Sequence, residues 1–298
     1  MDRLAQMRIF VAVAEEQGFA AAARRLQTSP PAVTRAVAGL ERSLGVVLLN
    51  RTTRAVRVTD AGRRYLEDVR QILLAVEAAD DAVAGINTEP TGRLAVTAPS
   101  LFGRQHVIPA VAQYLAQYPG TEVDTMFVDR VVNLVEEGFD VGVRIGELPD
   151  SSLRALRVGE VGWVVVAAPE YLAANGQPGN PADLHKHDLI VTSAGEFQLS
   201  WRFRKGNDIQ MRVQPRLKTT TNDAAIEAAL RGVGIARLLS YQVADDIKQG
   251  RLVPLLSGFE PKSIPVNVIH REGRNEAVRI RAFIDLLVSS LRDTADIN

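Results

Sequence analysis

Residues 19–45 read FAAAARRLQTSPPAVTRAVAGLERSLG, and this segment carries the clearest structural pattern in the N-terminal part of the chain. Its alanine-rich beginning, residues 19–26, favours a short helix. After an interruption at residues 27–29, Ser29-Pro30 is typical of a helix N-cap followed by proline at the first helical position. Apolar residues then recur with 4-3-4 spacing before the closing Gly45, at Val33, Val37, Leu40 and Leu44. Two helices joined by so short a turn predict a helix-turn-helix, whose second helix enters the major groove of DNA.

The flanking segments predict a winged form of this motif. An earlier helix ending near Gly18 is indicated by helical spacing of Leu4, Ile9, Phe10, Val13 and Ala14. On the other side, β-prone residues 46–50 and 55–59 are joined by Arg51-Thr52-Thr53-Arg54. A hairpin with arginines at its tip suits phosphates or a narrow minor groove.

The charge distribution agrees with a polyanion partner for this segment alone. The chain is neutral overall, yet residues 1–59 contain nine arginines and four acids, a net charge of +5. The remainder therefore carries −5. A basic head on an acidic body indicates nucleic-acid binding by the head, although a solvated helical surface is an equally good reading of composition alone.

The first sixty residues resemble the LysR-type transcriptional regulators. The resemblance rests on four motifs at the right spacing, continued by Val58-Thr59-Asp60-Ala61-Gly62: Ala22-Ala23-Arg24-Arg25-Leu26, Ser29-Pro30-Pro31-Ala32-Val33-Thr34-Arg35, Leu40-Glu41-Arg42-Ser43-Leu44-Gly45 and Leu49-Asn50-Arg51-Thr52-Thr53-Arg54. Pro30 departs from the family pattern, which often has glutamine there, and Thr34 and Leu49 replace a frequent serine and phenylalanine. The resemblance covers essentially the whole chain. It implies a bacterial regulator that binds a pseudo-palindromic operator in double-stranded DNA.

The predicted DNA contacts lie on the second helix of the motif and on the wing. Arg35 is the expected base reader, because its guanidinium pairs bidentately with a guanine edge. The alternative for Arg35 is a surface salt bridge, and the alternative for Ser29 is a helix cap. The full set of predicted DNA-binding residues is Thr28, Ser29, Pro30, Pro31, Thr34, Arg35, Arg51 and Arg54.

A long helix is predicted over residues 60–87. Its apolar positions follow heptad spacing, with a second strip at Leu66 and Leu73: Tyr65, Val69, Ile72, Val76, Ala79, Val83 and Ile86. Either a partner helix covers this seam, or the helix packs on its own domain. The resemblance implies a dimerisation helix, hence a homodimer or homotetramer assembled through residues 65–86.

Beyond a turn-rich linker at residues 88–92, strand-like and helix-like runs alternate to the C-terminus. This alternation predicts an α/β module with largely parallel sheets, long enough for two lobes. The resemblance implies a periplasmic-binding-protein-like fold for residues 88–298, which act as an effector-binding domain. One lobe comprises 92–160 and 268–298, and the other 161–267.

A small, anionic effector is expected between the lobes, since ligands of open α/β sheets bind beyond the carboxyl ends of strands. Ser100 follows such a strand end, and its hydroxyl and nearby amides suit a carboxylate, although a capping serine is an equal alternative. Arg144 equally suits an ion pair with Asp140 or Glu147, and Trp201 suits core packing. The complete predicted ligand set is Ser100, Leu101, Phe102, Phe127, Val128, Arg144, Ile145, Gly146, Ser193, Trp201, Thr221 and Asn222.

Other functional classes lack support in the sequence. The chain has no cysteine, no metal-binding or nucleophile motif and no long apolar run, so we expect no catalytic residue, metal, cofactor or membrane partner. The start of the chain is unlike a secretory signal, which predicts a cytoplasmic protein. The competing hypothesis is a small-molecule-binding α/β protein whose basic head serves assembly rather than DNA binding.

Overall fold

A computed structural model describes residues 2–51, 56–84, 89–148, 153–193, 199–271 and 278–297. The chain separates into two compact units, residues 1–88 with 274–278 and residues 89–273 with 279–298. Within the described ranges, no helix combines the length and the apolar character needed to cross a lipid bilayer.

The first unit is a winged helix-turn-helix followed by a long helix, as predicted. Its elements in order are α1 (Arg3–Glu15), α2 (Phe19–Arg25), α3 (Pro30–Leu44), β1 (Leu49–Arg51), β2 (Val56–Val58) and α4 (Asp60–Ala84). The predicted apolar face of α3 is the one that is buried, with Val33, Val37 and Leu40 packed against Phe10 and Val13 of α1. Because Gly45 adopts a left-handed conformation with φ of 70°, α3 ends where the sequence indicated.

The wing is held against α3. Strands β1 and β2 pair antiparallel, with Leu49 opposite Val58. The Glu41 carboxylate accepts hydrogen bonds from the amides of Leu48 and Leu49, at 2.9 Å and 3.1 Å. Gly62 brings α4 close to the same place, since a Cβ there would lie 2.1 Å from the Leu48 carbonyl oxygen. Helix α3, the wing and the start of α4 are therefore one packed body.

The first residues of the heptad seam of α4 are packed in the core of the first unit, whereas a later one is exposed. Tyr65 and Leu66 pack on the core of the first unit, Tyr65 with its ring 5.7 Å from that of Phe10, and Val69 is completely buried. The first turns of α4 therefore pack on their own domain, which was the alternative to a partner helix. Ile72 is 41% exposed. The side chains of Ala79 and Val83, and all of Ile86, lie outside the described part of the chain.

The described residues of the second unit form two five-stranded sheets and one separate hairpin. In chain order its strands are β3 (Gly92–Ala98), β4 (Thr121–Phe127), β5 (Val141–Ile145), β6 (Leu153–Val161), β7 (Trp163–Ala167), β8 (Leu189–Thr192), β9 (Ser200–Lys205), β10 (Asn207–Arg212), β11 (Leu217–Thr219), β12 (Ile235–Leu239), β13 (Val253–Leu255) and β14 (Ile264–Arg271). Its helices are α5 (Ser100–Phe102), α6 (Ile108–Gln117), α7 (Pro169–Asn175), α8 (Asn222–Leu230), α9 (Ser240–Lys248) and α10 (Val278–Arg292), with a π-helical turn at Gly103–Val107.

The two sheets define two lobes. The first lobe has strand order β4-β3-β5-β14-β6, and the second has β11-β8-β12-β7-β13. The chain therefore crosses from the first lobe to the second after β6 and returns before β14. The return strand begins at Ile264, ahead of the predicted boundary at residue 268.

The expectation of largely parallel sheets is wrong, because antiparallel pairings are as numerous as parallel ones in the two sheets. Strand β3 runs parallel to β4 and β5, but β14 runs antiparallel to β5 and β6. The second lobe repeats the arrangement, with β8 in parallel pairs and β7 in antiparallel ones. The physical reason is the double crossing, since the strands that leave and re-enter a lobe lie side by side in opposite directions. The hairpin β9–β10 was not anticipated either.

Candidate functional site

The N-terminal end of α3 presents most of the predicted DNA contacts to solvent. Thr28, Ser29, Pro30, Pro31 and Arg35 are exposed, whereas Thr34 is partly buried. Ser29 occupies the N-cap position in an extended conformation, but its side chain makes no capping hydrogen bond. The capping alternative therefore does not explain this hydroxyl, which stays available to a phosphate.

Arg35 has the geometry expected of an available cation. Its Nε donates to the Pro31 carbonyl oxygen at 3.3 Å, which folds the side chain back along α3. No described carboxylate forms an ion pair with it, so the salt-bridge alternative finds no partner in the described ranges. Arg25, by contrast, is bound to Glu15 and Glu16 at 2.8 Å and 3.3 Å.

The wing is described only in its strands. Arg51 ends β1, but its side chain lies outside the described residues, as does the whole of Arg54. Arg57, which the sequence reading did not select, is exposed on β2 opposite Asn50. Its signal was present in the sequence as a basic residue between two valines, an alternation typical of a strand with one solvated face.

A cavity of about 270 Å³ lies between the two lobes of the second unit. The first lobe and its loops contribute Pro99, Val128, Asp129, Arg130, Val131, Arg144, Ile145 and Ile264. The segment from 163 to 242 contributes Trp163, Val191, Thr192, Trp201, Asn222, Arg237, Leu238, Leu239, Tyr241 and Gln242. Apolar walls with a few convergent polar groups are typical of small-molecule sites.

The cavity brings together only part of the predicted ligand set. Among the predicted residues its lining includes Val128, Arg144, Ile145, Trp201 and Asn222. Leu101 and Phe102 are instead buried in the core of the first lobe, and Phe127 closes on Gly103, where a Cβ would lie 2.4 Å from its ring. The remaining predicted residues, also absent from the lining, are Ser100, Gly146, Ser193 and Thr221.

The Ser100 amide already has an anionic partner within the chain. It donates to the Asp129 carboxylate at 2.9 Å, and the Ser100 hydroxyl donates to the Phe127 carbonyl oxygen at 3.3 Å. The strand end that the sequence reading assigned to an effector carboxylate is thus bound by the protein's own carboxylate. The short α5 continues into a π-helical turn rather than into a regular helix.

Arg144 reaches the cavity from β5 of the first lobe. Its guanidinium donates to the Val132 carbonyl oxygen, and burial lowers its pKa, with Arg130 opposing and Glu137 supporting the charge. Neither Asp140 nor Glu147 forms the ion pair considered from the sequence. Arg130, by contrast, forms a two-pronged salt bridge with Glu137 at 2.7 Å and 2.5 Å.

Arg237 reaches the cavity from β12 of the second lobe. Its guanidinium carbon lies 4.4 Å from the ring centroid of Trp163 and 5.9 Å from that of Phe203, a cation–π arrangement. Burial, assisted by nearby Arg202, lowers the pKa of Arg237 to about 10. No carboxylate within the described ranges forms a salt bridge with it. The sequence reading missed Arg237, although an arginine inside the apolar run Ile235–Leu239 was the available signal.

Both units of the chain are similar to known proteins. Residues 4–63 match the family model for the bacterial regulatory helix-turn-helix protein of the lysR family, and residues 87–292 match the LysR substrate binding domain. The transcriptional activator AaeR of Escherichia coli K12 is 33% identical, over 96% of this chain and 93% of that protein. The transcriptional regulator CrgA of Neisseria meningitidis serogroup B is 31% identical, over 96% of each chain.

Solved structures agree with this assignment. A structure of CrgA from Neisseria meningitidis is 30% identical, has a TM-score of 0.64 and covers 96% of this chain and 98% of that chain. The full-length Vibrio cholerae virulence activator AphB, at 24% identity and a TM-score of 0.64, covers 97% of this chain and 99% of that chain and shares the fold. The matched families and relatives are transcriptional regulators and not enzymes. This favours DNA binding by the basic head over the competing hypothesis that the head serves only assembly. The chain belongs to the LysR family of DNA-binding transcriptional regulators.

Proposed function

We propose that this regulator recognises a pseudo-palindromic operator through α3 and the wing, and that a small anion held between its lobes changes operator binding. The observation that carries the effector part is the pair of arginines, Arg144 and Arg237, that face one interlobe cavity without a carboxylate partner among the described residues. The DNA part is supported by the exposed first turn of α3 and the +5 charge of residues 1–59.

The proposed recognition of operator bases depends on Arg35. A bidentate arginine–guanine contact contributes about 1–3 kcal/mol of discrimination, so Arg35→Ala should weaken binding to a selected operator by that amount and relax specificity at one base pair. Arg42→Ala is the matched control, because Arg42 is an exposed arginine in the last turn of the same helix. Gel shifts measure the affinity of each variant for the operator and for a random duplex. Equal losses on the two duplexes would reduce Arg35 to a phosphate contact.

Self-association through α4 completes the proposal. A two-fold dimer fits a palindromic site, and Ile72 leaves an apolar side chain of the seam exposed in the single chain. Residues 65–86 supply this interface, either in a homodimer or in a homotetramer built from two such dimers.

The regulatory part is tested with anions that bind the protein. A ligand shifts a conformational equilibrium only by its differential affinity for two states. Small organic anions that raise the unfolding temperature are selected first, because binding to the native state stabilises it. Each is then added to an operator titration. Thr192→Phe, which fills part of the cavity, should abolish the response and preserve operator affinity without the anion. A stabilising anion that leaves operator affinity and footprint unchanged contradicts the regulatory proposal.

A further inference from the structure

The charges that line the interlobe cavity do not cancel. Its charged lining residues are Asp129, Arg130, Arg144 and Arg237. Arg130 is neutralised by Glu137, with the guanidinium and the carboxylate joined by two hydrogen bonds. Asp129, which binds the Ser100 amide, offsets only one of the other two arginines. The site thus has an excess of one positive charge, which one negative charge on a ligand balances.

The two arginines that form no salt bridge with a described carboxylate, Arg144 and Arg237, come from different lobes and are held in place. Arg144 lies on β5 of the first lobe, anchored by the Val132 carbonyl. Arg237 lies on β12 of the second lobe, with its guanidinium over the Trp163 ring. Removing a cation from water without a counter-ion is costly, and the lowered pKa values of both arginines reflect that cost. Pre-positioned donors lose little conformational entropy when an anion arrives.

The remaining walls are apolar and partly flat. Trp163 and Trp201 contribute aromatic surface, and Ile145, Val191, Leu238 and Ile264 contribute aliphatic surface. A cavity of 270 Å³ lies just below the range of about 300–1,000 Å³ that is typical of pockets for drug-sized ligands. It therefore suits a smaller, compact and mostly apolar ligand.

Resting on the proposed function, we infer that the effector is a small monocarboxylate with a flat apolar body, whose carboxylate is the shared counter-ion of Arg144 and Arg237. Such a ligand draws one arginine from each lobe toward the same two oxygens. Without it, the two like charges oppose approach of the lobes. Binding of the carboxylate therefore also favours closing of the cleft, because it removes the repulsion between the two arginines.

Benzoate is the probe, because it has the size, the flat apolar body and the single charge. The chain has two tryptophans, Trp163 and Trp201, and both line the cavity, so intrinsic fluorescence reports occupancy directly. Full-length protein is titrated with benzoate, with neutral benzamide of the same shape and with cationic benzylamine. We expect saturable binding of benzoate, about tenfold to a hundredfold tighter than benzamide, and no binding of benzylamine.

Variants separate the counter-ion role from general effects. Arg144→Gln and Arg237→Gln should each weaken benzoate about tenfold or more, and should weaken neutral benzamide clearly less, by about threefold at most, since a neutral carbonyl loses only an uncharged acceptor's hydrogen bond. Arg202→Gln is the matched control, since Arg202 is exposed on β9 beside Arg237 but does not line the cavity. Its benzoate affinity should stay within about a factor of three, as for a screened surface charge. Calorimetry repeats the titrations for any variant whose fluorescence baseline changes.

The outcomes decide between this inference and the proposed function. Equal affinity for benzoate and benzamide, no saturable benzoate binding, or benzoate binding that survives both glutamine substitutions overturns the shared counter-ion. Those results leave the proposed function standing if another anion alters operator binding. Conversely, benzoate that binds with the expected charge dependence and has no effect on operator affinity supports the ligand class and contradicts regulation by benzoate-like anions.

Discussion

Glu41→Ala tests how the wing is attached to the recognition helix. In the wild-type protein one carboxylate oxygen of Glu41 accepts the amides of both Leu48 and Leu49, residues that are almost completely buried. Alanine leaves both donors without that acceptor. An unsatisfied buried amide costs about 1–3 kcal/mol. Because both hydrogen bonds are only partly buried, the lower part of that range, about 1–2 kcal/mol for each amide, applies, and opening of the wing should become easier by roughly 2–4 kcal/mol. Glu41→Gln retains a carbonyl oxygen in the same place and should cost only about 1 kcal/mol.

Hydrogen exchange of the peptide containing residues 46–51 measures this opening in the full-length protein. A change of 2–4 kcal/mol corresponds to roughly thirtyfold to several hundredfold faster exchange in the alanine variant. The glutamine variant should remain within about tenfold of the wild type. Operator affinity should fall in the same order, because a loosened wing no longer positions its arginines. Alanine and glutamine variants that exchange alike would show that the carboxylate does not hold the wing, and the reasoning would fail.

Three further predictions concern assembly, pH and packing. Ile72→Asp should yield folded monomers in sedimentation, because Ile72 is 41% exposed in the single chain; retained assembly would refute a seam contact. Burial raises the pKa of Glu15, but hydrogen bonds from two arginines outweigh it and hold the pKa below 4.5. Its stabilising contribution is therefore complete above pH 4.5 and disappears as pH falls through the folded-state value, and Glu15→Gln should remove that part of the pH dependence of the melting temperature. Gly103→Ala places a methyl group against the Phe127 ring and should cost about 1–3 kcal/mol in denaturant unfolding, unlike Gly162→Ala, whose position is open.

The candidate DNA surface was predictable from sequence to a large extent. Helix α3 begins at Pro30 and ends before Gly45, as expected, because proline suits the first helical position and glycine suits the left-handed residue after the last one. The effector cleft was predicted only partly. Strand-end reasoning located Arg144 and Asn222, but it considered only residues at the ends of strands and so overlooked Arg237, which lies in the middle of β12.

Local sequence patterns were enough to predict the winged helix-turn-helix, the long helix after it and the α/β character of the remainder, because periodicity, caps and turns are local properties. The division of the remainder into two lobes was predicted from its length and from the family resemblance. Only the tertiary structure shows which partner each polar group binds. The Ser100 amide is bound by a carboxylate 29 residues away, and Arg237 is positioned by the distant Trp163. Such pairings depend on which strands become neighbours, and that is settled by the double crossing of the chain between lobes. No local pattern encodes it.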